Sequence, residues 1–510
     1  MTLLRQPPPM NIVELLHRQA RLRPHAAAFV TANQVISYLE AHERVLRMAG
    51  ALAQRGIEAG QPVAVRLPNS PTAVLVFLAL ARLGAVAVTL PARRPAEQLA
   101  QTVSRLRIGT TIGLGAEHEL PGTRFIAADD SLLKPLDEPD RARPPAAGGD
   151  AVLCLSMTSG TTGESKCVAW THARKRRLWE AQLTDPFNQP GERGLVLMGF
   201  DAMWAMQAVL RMLFSGATVV VVPDVGLRAM AEGVDRLGAR HVISSPAFMG
   251  RMLRDLPDDR PRFPDLRTLR LGGSTVPPAV LTRLRRQLTP NIVISYGSTE
   301  CSLIALADPV TLERAPTSVG VVVPWVEVQV LDDEGRALPA GRSGTLRFRS
   351  DVFTDGYFED PAATAAQFHD GWFQPGDHGR LDPDGTLVIE SRIDDLINVG
   401  GLKVNPGEIE AVLLQDPAIL DCAAYAVVSE VGEPVLLAAV VTREALDSQA
   451  VLQRCHASLG PKTPRHLVRL DQLPRNANGK LLRQVLQERT KVGAARSAPA
   501  PTAGATPSTH

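Results

Sequence analysis

From residue 62 onward, short apolar runs alternate with helix-like stretches, and this rhythm restricts the fold more than any other feature of the chain. The runs occupy residues 63–67, 85–90, 152–157, 217–222, 241–245, 268–271 and 292–295. Strands this short, separated by helical segments, predict βαβ units and mostly parallel sheets, because a parallel neighbour has to be reached by a crossover. The longest apolar stretch, residues 73–90, is interrupted by Arg82 and Gly84 and reads as a buried helix followed by a strand. No segment offers the roughly 18 continuous apolar residues of a membrane span.

The pattern changes downstream. In VEVQVLDDEGRALPAGRSGTLRFRS, two alternating runs flank an acidic, glycine-containing turn, which predicts a β-rich lobe. Residues 129–150 are polar with Pro and Gly and read as a connection between subdomains. A smaller unit runs from about residue 394 to 485. Residues 492–510 are Ala, Pro, Thr, Ser and Gly with almost no large apolar side chain, and are expected to be disordered.

Composition narrows the partners. A formal charge of +2 gives no reason to expect nucleic acid or an anionic membrane. The five cysteines, Cys154, Cys167, Cys301, Cys422 and Cys455, are scattered and have no metal-ligand spacing. They read as small buried thiols, which fits a reducing cytoplasm. Three consecutive prolines near the N-terminus break the apolar stretch that a signal peptide needs.

The first chemically suggestive element follows the run VLCLSM: Thr158-Ser159-Gly160-Thr161-Thr162-Gly163-Glu164-Ser165-Lys166. Glycines let backbone amides approach an anion, hydroxyls add donors and a lysine supplies charge. The glycine spacing and the residue after Lys166 are wrong for a Walker A loop. Such a loop alone is compatible with an ordinary turn as well as with phosphate binding.

Further elements follow in order: Leu271-Gly272-Gly273-Ser274, Ser295-Tyr296-Gly297-Ser298-Thr299-Glu300, and Gly371-Trp372-Phe373-Gln374-Pro375-Gly376-Asp377. After them come Ser391-Arg392-Ile393-Asp394-Asp395, Val399-Gly400-Gly401-Leu402-Lys403, and Pro474-Arg475-Asn476-Ala477-Asn478-Gly479-Lys480. With LSMTSGTTGESK at their head, these resemble the motif series of the adenylate-forming superfamily: acyl- and aryl-CoA ligases, peptide-synthetase adenylation domains and luciferases. The resemblance spans roughly residues 11–486.

The resemblance implies an α/β fold. A large N-terminal domain, residues 1–393, would hold parallel αβ sandwich sheets and a β-rich lobe. A small mobile α+β C-terminal domain, residues 394–488, would carry the catalytic lysine, with a disordered tail at 489–510. It further implies that the 158–166 loop covers the β- and γ-phosphates of ATP, and that Gly272, Gly273 and Ser274 border the adenine and acyl pockets. Tyr296, flanked by Ser295 and Gly297, would lie against adenine. Thr299 would bond the α-phosphate, Glu300 hold Mg²⁺, Asp377 accept the ribose hydroxyls, and Arg392 contact ribose or phosphate. Asp394 would be the hinge, Gly400, Gly401 and Lys403 the thiol-transfer loop, and Lys480 the catalytic lysine. These residue types suit the chemistry: carboxylate oxygen is a hard ligand for magnesium, and two carboxylate oxygens can accept two hydroxyls.

There are two departures. Glu164-Ser165 stands where a proline commonly precedes the lysine, and Cys167 replaces a glycine after it. The acid pocket is expected to use Phe200, Asp201, Trp204 and Ser298. His172 and His241 read as structural or pocket-lining. Three readings remain open. The first is ATP-dependent activation of an aryl, fatty or related carboxylic acid followed by transfer to CoA or a carrier-protein phosphopantetheine. The second is an amino-acid adenylating enzyme that loads a carrier protein, in which Asp201 meets the ammonium group. The third is a nucleotide-binding relative without catalysis.

Overall fold

A computed structural model describes residues 11–134, 148–158, 166–182, 188–253, 256, 260–393, 397–399, 402–428, 434–442, 446–475 and 481–496. The chain divides into two compact units, Met1–Ile389 and Glu390–His510. The division falls inside the strand Thr386–Arg392, a few residues before Asp394.

In the first unit, a six-stranded sheet has the order Arg124–Ala127, Thr110–Gly113, Pro62–Arg66, Val86–Thr89, Val152–Met157, Cys167–Thr171. Every pair is parallel except the last. The expected helix after Arg66 is Pro71–Leu83. Ser70 caps it by accepting from Ala73 N at 3.2 Å, Pro71 opens it, and Gly84 closes it in the left-handed region at φ 75°. Apolar residues lie on every side of this helix, so it is buried all round and packs against the helix Tyr38–Gln54. Each fully buried Leu, Val or Phe there contributes about 1.5–3 kcal/mol of transfer free energy.

The second sheet of this unit has 15 strands. Its parallel part runs Ala27–Val30, Thr218–Val220, Arg193–Val196, His241–Ser244, Thr268–Gly272, Ile292–Tyr296. The β-rich lobe expected after residue 326 is continuous with it. Ala305–Ala307 and Gly320–Val322 extend the edge in antiparallel fashion and join Thr386–Arg392. The hairpin Glu327–Leu331 with Ser343–Arg349 closes across Asp332, which accepts from Glu334 N and Arg336 N. Periodicity alone does not reveal this continuity, because strand pairing across the Tyr296–Ala305 turn is a long-range event.

The second unit is α+β. Ile419–Val428, Pro434–Thr442 and His466–Arg469 form its sheet, with helices Pro406–Leu413, Ser448–Leu459 and Arg483–Arg496. Alternate residues of the first two strands enter two separate apolar clusters, one with Ile409 and Val451 and the other with Leu473 and Leu486, so both faces are covered. One expectation is corrected here. Residues 489–496, assigned to a disordered tail, belong to the helix Arg483–Arg496, whose Gln, Leu, Glu, Lys, Ala and Arg residues are good helix formers. Residues 497–510 lie outside the described residues.

Candidate active site

Parallel strands present their carboxyl ends along one edge, and the loops leaving that edge carry most of the expected site. Gly272 and Ser295 are register partners at the ends of adjacent strands. A Cβ on Gly272 would lie 2.7 Å from Ser295 Oγ and 3.0 Å from the Trp204 ring, so glycine is what permits this approach. Ser295 Oγ donates to Leu271 O at 3.2 Å. Gly273 turns the chain in the left-handed region at φ +85°. Gly297 is tighter still: a Cβ there would overlap the Ser302 carbonyl oxygen at 1.6 Å. The 297–302 loop folds back on itself, with Ser302 N donating to Ser298 O at 2.8 Å and Ile304 N to Tyr296 O at 2.8 Å.

Phe200 and Asp201 follow the strand Arg193–Val196, which His241–Ser244 separates from Thr268–Gly272. Asn69 clamps that loop, accepting from Phe200 N at 2.8 Å and donating to Met198 O at 2.8 Å. Thr89 Oγ1 donates to Asp201 O at 2.9 Å. Phe200 is buried in the core, Trp204 half-buried on the helix Met203–Ser215. Burial pushes the Asp201 carboxyl above its ordinary range, while its own backbone amide and the Arg94 cation pull it down.

Glu300 is the centre of the polar constellation. It is buried, yet both oxygens are served: Ser298 Oγ donates to Oε2 at 2.5 Å and Tyr357 Oη to Oε1 at 2.7 Å. Thr354 N donates to Glu300 O at 3.1 Å. Tyr357 Oη also bonds Gln367, and Lys166 Nζ lies 4.7 Å from the centre of the Tyr357 ring. One tyrosine therefore ties the loop-end lysine to the carboxylate. Thr158 N donates to Lys166 O at 2.8 Å, closing the base of the 158–166 loop, and Phe358 N donates to Cys167 O at 2.7 Å. Asp377, also buried, accepts from Tyr296 Oη, and the Tyr296 ring lies 5.9 Å from that of Phe348. Thr299 is half-buried between Ser298 and Glu300.

Each Glu300 oxygen retains a lone pair beyond the hydrogen bond it accepts, and the neighbouring donors are neutral hydroxyls. That set suits a hard cation taking one carboxylate oxygen and completing its shell from phosphates and water, as magnesium does.

Tyr357, Gln367, Thr354 and Asn69 were missed in the sequence. The available signal was Gly356-Tyr357 just ahead of the Asp360-capped helix Pro361–Gln367, where Asp360 accepts from Ala363 N at 2.9 Å. His172 and His241 are structural. His172 Nδ1 accepts from Ile12 N at 3.3 Å, and His241 contacts Thr268 and Glu192 at the opposite end of its strand. Cys167 begins a strand as a buried thiol, and burial lifts it to about 12, so it is no nucleophile at neutral pH.

In the second unit, Arg392 ends the strand Thr386–Arg392. Ile397–Val399 and Leu402–Val404 form an antiparallel hairpin, with Asn398 paired to Lys403. Asn405 caps the helix that follows by accepting from Gly407 N at 2.9 Å. Arg475 and Leu481 form an isolated antiparallel bridge bracketing residues 476–480, and Arg475 Nη2 donates to both oxygens of Asp421 at 2.9 and 3.0 Å. Ser159, Gly160, Thr161, Thr162, Gly163, Asp394, Gly400, Gly401 and Lys480 lie outside the described residues, as does the Lys403 side chain.

Residues 16–358 match the family model described as AMP-binding enzyme, and residues 408–480 match the AMP-binding enzyme C-terminal domain. The chain belongs to the AMP-binding enzyme family. It is 28% identical over 518 residues to the indoleacetate–CoA ligase of Aromatoleum aromaticum, covering 94% of this chain and 99% of that one. It is 29% identical over 484 residues to a feruloyl-CoA synthase of an Amycolatopsis species, covering 92% and 97%. In fold it is similar to the o-succinylbenzoate CoA synthetase of Bacillus subtilis solved with its acyl-adenylate intermediate. The TM-score is 0.83 at 24% identity, covering 94% of this chain and 99% of that one. The family accounts for the mixed α/β architecture.

Proposed function

We propose that this chain is an acid–thiol ligase. It activates a small carboxylic acid with ATP to an acyl-adenylate, releasing pyrophosphate, and then transfers the acyl group to the thiol of CoA. The observation that carries this reading is the Tyr296–Asp377 and Ser298–Glu300–Tyr357–Lys166 constellation at the carboxyl ends of the parallel strands, in a chain matched by both parts of the family.

In the first half-reaction a carboxylate oxygen of the acid attacks the α-phosphorus of ATP, and the bond to the pyrophosphate oxygen breaks. Charge spreads over phosphoryl oxygens, so positioning and electrostatics dominate. Magnesium, held by Glu300, supplies charge neutralisation for the phosphates. Tyr296 offers its face to adenine and Asp377 its carboxylate to the ribose hydroxyls. Thr299 donates to the α-phosphate, and Arg392 contacts ribose or phosphate. Ser159, Gly160, Thr161, Thr162, Gly163 and Lys166 enclose the outer phosphates. Lys480 brings positive charge to the carboxylate and α-phosphate together. In the second half-reaction the sulfur attacks the acyl carbon and AMP leaves. Asp394 acts as the hinge between the two steps, with Gly400, Gly401 and Lys403 guiding the thiol. All five cysteines are free and buried, which supports a reducing cytoplasmic setting.

The test is pyrophosphate exchange into ATP across aromatic, aliphatic and amino acids, with Lys480→Ala as control. Exchange that is acid-dependent in the wild type and lost in the variant is expected; equal exchange in both would exclude the role of Lys480. CoA is then compared with a pantetheinylated carrier as acceptor. A second reading, an amino-acid substrate loaded on a carrier protein, is favoured by the half-buried Asp201 just ahead of the helix Met203–Ser215. It requires exchange with amino acids that Asp201→Ala abolishes.

A further inference from the structure

One face of the helix Met203–Ser215 meets the strand end and the loop that carry the expected acid pocket. Trp204 and Gln207, three residues apart, stand on that face. The outer edge of the Trp204 indole closes on the end of the strand Thr268–Gly272: a Cβ on Gly272 would lie 3.0 Å from it. Gln207 Oε1 accepts from Ser302 Oγ at 3.4 Å. Ser302 is tied back in turn to the pocket residue Ser298, its N–H donating to Ser298 O at 2.8 Å. Both side chains therefore reach the pocket by direct contact.

Gln207 is 8% exposed, yet only one end of its carboxamide is engaged. Oε1 holds Ser302, whereas Nε2 makes no hydrogen bond among the described residues and keeps access to solvent. Around it, Trp204, Ser298, Thr299 and Ser302 are all half-buried, so the space between helix and loop is reachable from outside. Leucine would fill a comparable volume with no polar group to satisfy. Ser302 itself stands at φ 64°, in the left-handed region that a residue with a Cβ enters at a cost. Strain of this kind persists where surrounding contacts over-determine the backbone, and it concentrates at ligand sites.

We propose that Gln207 selects the acid: its Nε2 donates to an acceptor oxygen on a planar ring that lies against Trp204. The substrate class is an aryl acid bearing a ring hydroxyl, ether or carbonyl oxygen, and Gln207 is a specificity-determining residue. This rests on the adenylation reading above and deepens it. The flat indole favours a ring over a branched chain. Because Ser302 engages Oε1, the carboxamide presents donors to the ligand and not acceptors. A ring without an oxygen there displaces water from Nε2 and leaves the amide unbonded, and a site built for a polar group rejects the analogue that lacks it.

The experiment measures pyrophosphate exchange with pairs of ring acids that differ only in a methoxyl or an ethyl group, moved around the ring, for wild type, Gln207→Leu and Gln207→Glu. At the matching position wild type is expected to favour methoxyl by at least about tenfold in kcat/KM, mainly through KM. Gln207→Leu should bring that ratio towards one. Gln207→Glu offers only acceptors, so it should reject methoxyl and prefer a hydroxyl in its place. No methoxyl preference at any position in wild type, a ratio unchanged in both variants, or exchange confined to straight-chain acids overturns the proposal. A second measurement needs neither a variant nor turnover: calorimetry of the same acid pairs binding to the wild-type protein in the presence of AMP. Tighter binding of the methoxyl member supports the assignment, and equal affinities overturn it. Exchange with no acid at all overturns the adenylation reading itself, a result distinct from exchange without discrimination.

Discussion

Tyr357→Phe removes one oxygen and tests whether the Glu300 constellation is a cooperating unit. The hydroxyl donates to Glu300 Oε1 at 2.7 Å, with both residues buried. A hydrogen bond to a charged group contributes about 1.5–3 kcal/mol, and leaving the carboxylate short of a donor costs at the upper end of that range. We therefore expect the Tyr357–Glu300 coupling to be about 2 kcal/mol, or roughly thirtyfold in an equilibrium constant. The assay is a double-mutant cycle of Tyr357→Phe and Glu300→Ala, read by urea unfolding at neutral pH. The five tryptophans, Trp170, Trp179, Trp204, Trp325 and Trp372, all lie in the first unit. Their fluorescence consequently reports on the unit that holds the pair. A coupling below about 0.5 kcal/mol, the level at which independent sites add, would refute the idea that the hydroxyl and carboxylate act together.

Lys175→Met is expected to raise the melting temperature at neutral pH. Burial holds the amine well below its ordinary range, so the unfolded chain binds a proton there that the native chain does not. Stability of the wild type accordingly rises with pH from the depressed native range of the amine up to the ordinary lysine range, so the advantage of the variant should shrink as pH rises towards about 10 and level off above it; a constant difference in melting temperature would contradict a buried neutral amine. Gly297→Ala forces a Cβ into the Ser302 carbonyl, 1.6 Å away in the present backbone, so the loop carrying Thr299 and Glu300 has to move. An ångström-scale shift there should lower exchange roughly hundredfold, measured against wild type at saturating ATP. Native protein at pH 8 should resist iodoacetamide, because burial lifts Cys154 to about 11 and Cys167 and Cys301 to about 12. Mass spectrometry should find five alkylated thiols only after denaturation, and stoichiometric labelling of the folded protein would contradict the burial.

Local chemistry settled a good part of this protein without any structure. Apolar runs of strand length between helical stretches predicted the parallel sheets, since hydrophobic periodicity is a property of neighbouring residues. The order of the Thr158, Tyr296, Asp377 and Arg392 elements carried the resemblance to the adenylate-forming superfamily. The same reasoning overreached at residues 492–496, where a low content of large apolar residues suggested disorder although good helix formers make a helix. Tertiary structure alone decided the rest. Tyr357 stands 57 residues from Glu300 in the chain, and no periodicity links a hydroxyl to a carboxylate across that span. Lys175 reads in sequence as one basic residue among several on a short helix, and only packing against Trp170 makes it a buried amine. The β-rich lobe joined the parallel sheet for the same reason: pairing between distant strands depends on loop closure and edge geometry, which composition does not encode. The kinds of groups at the site were therefore legible from short segments, whereas their partners, burial and charge state were properties of the folded chain.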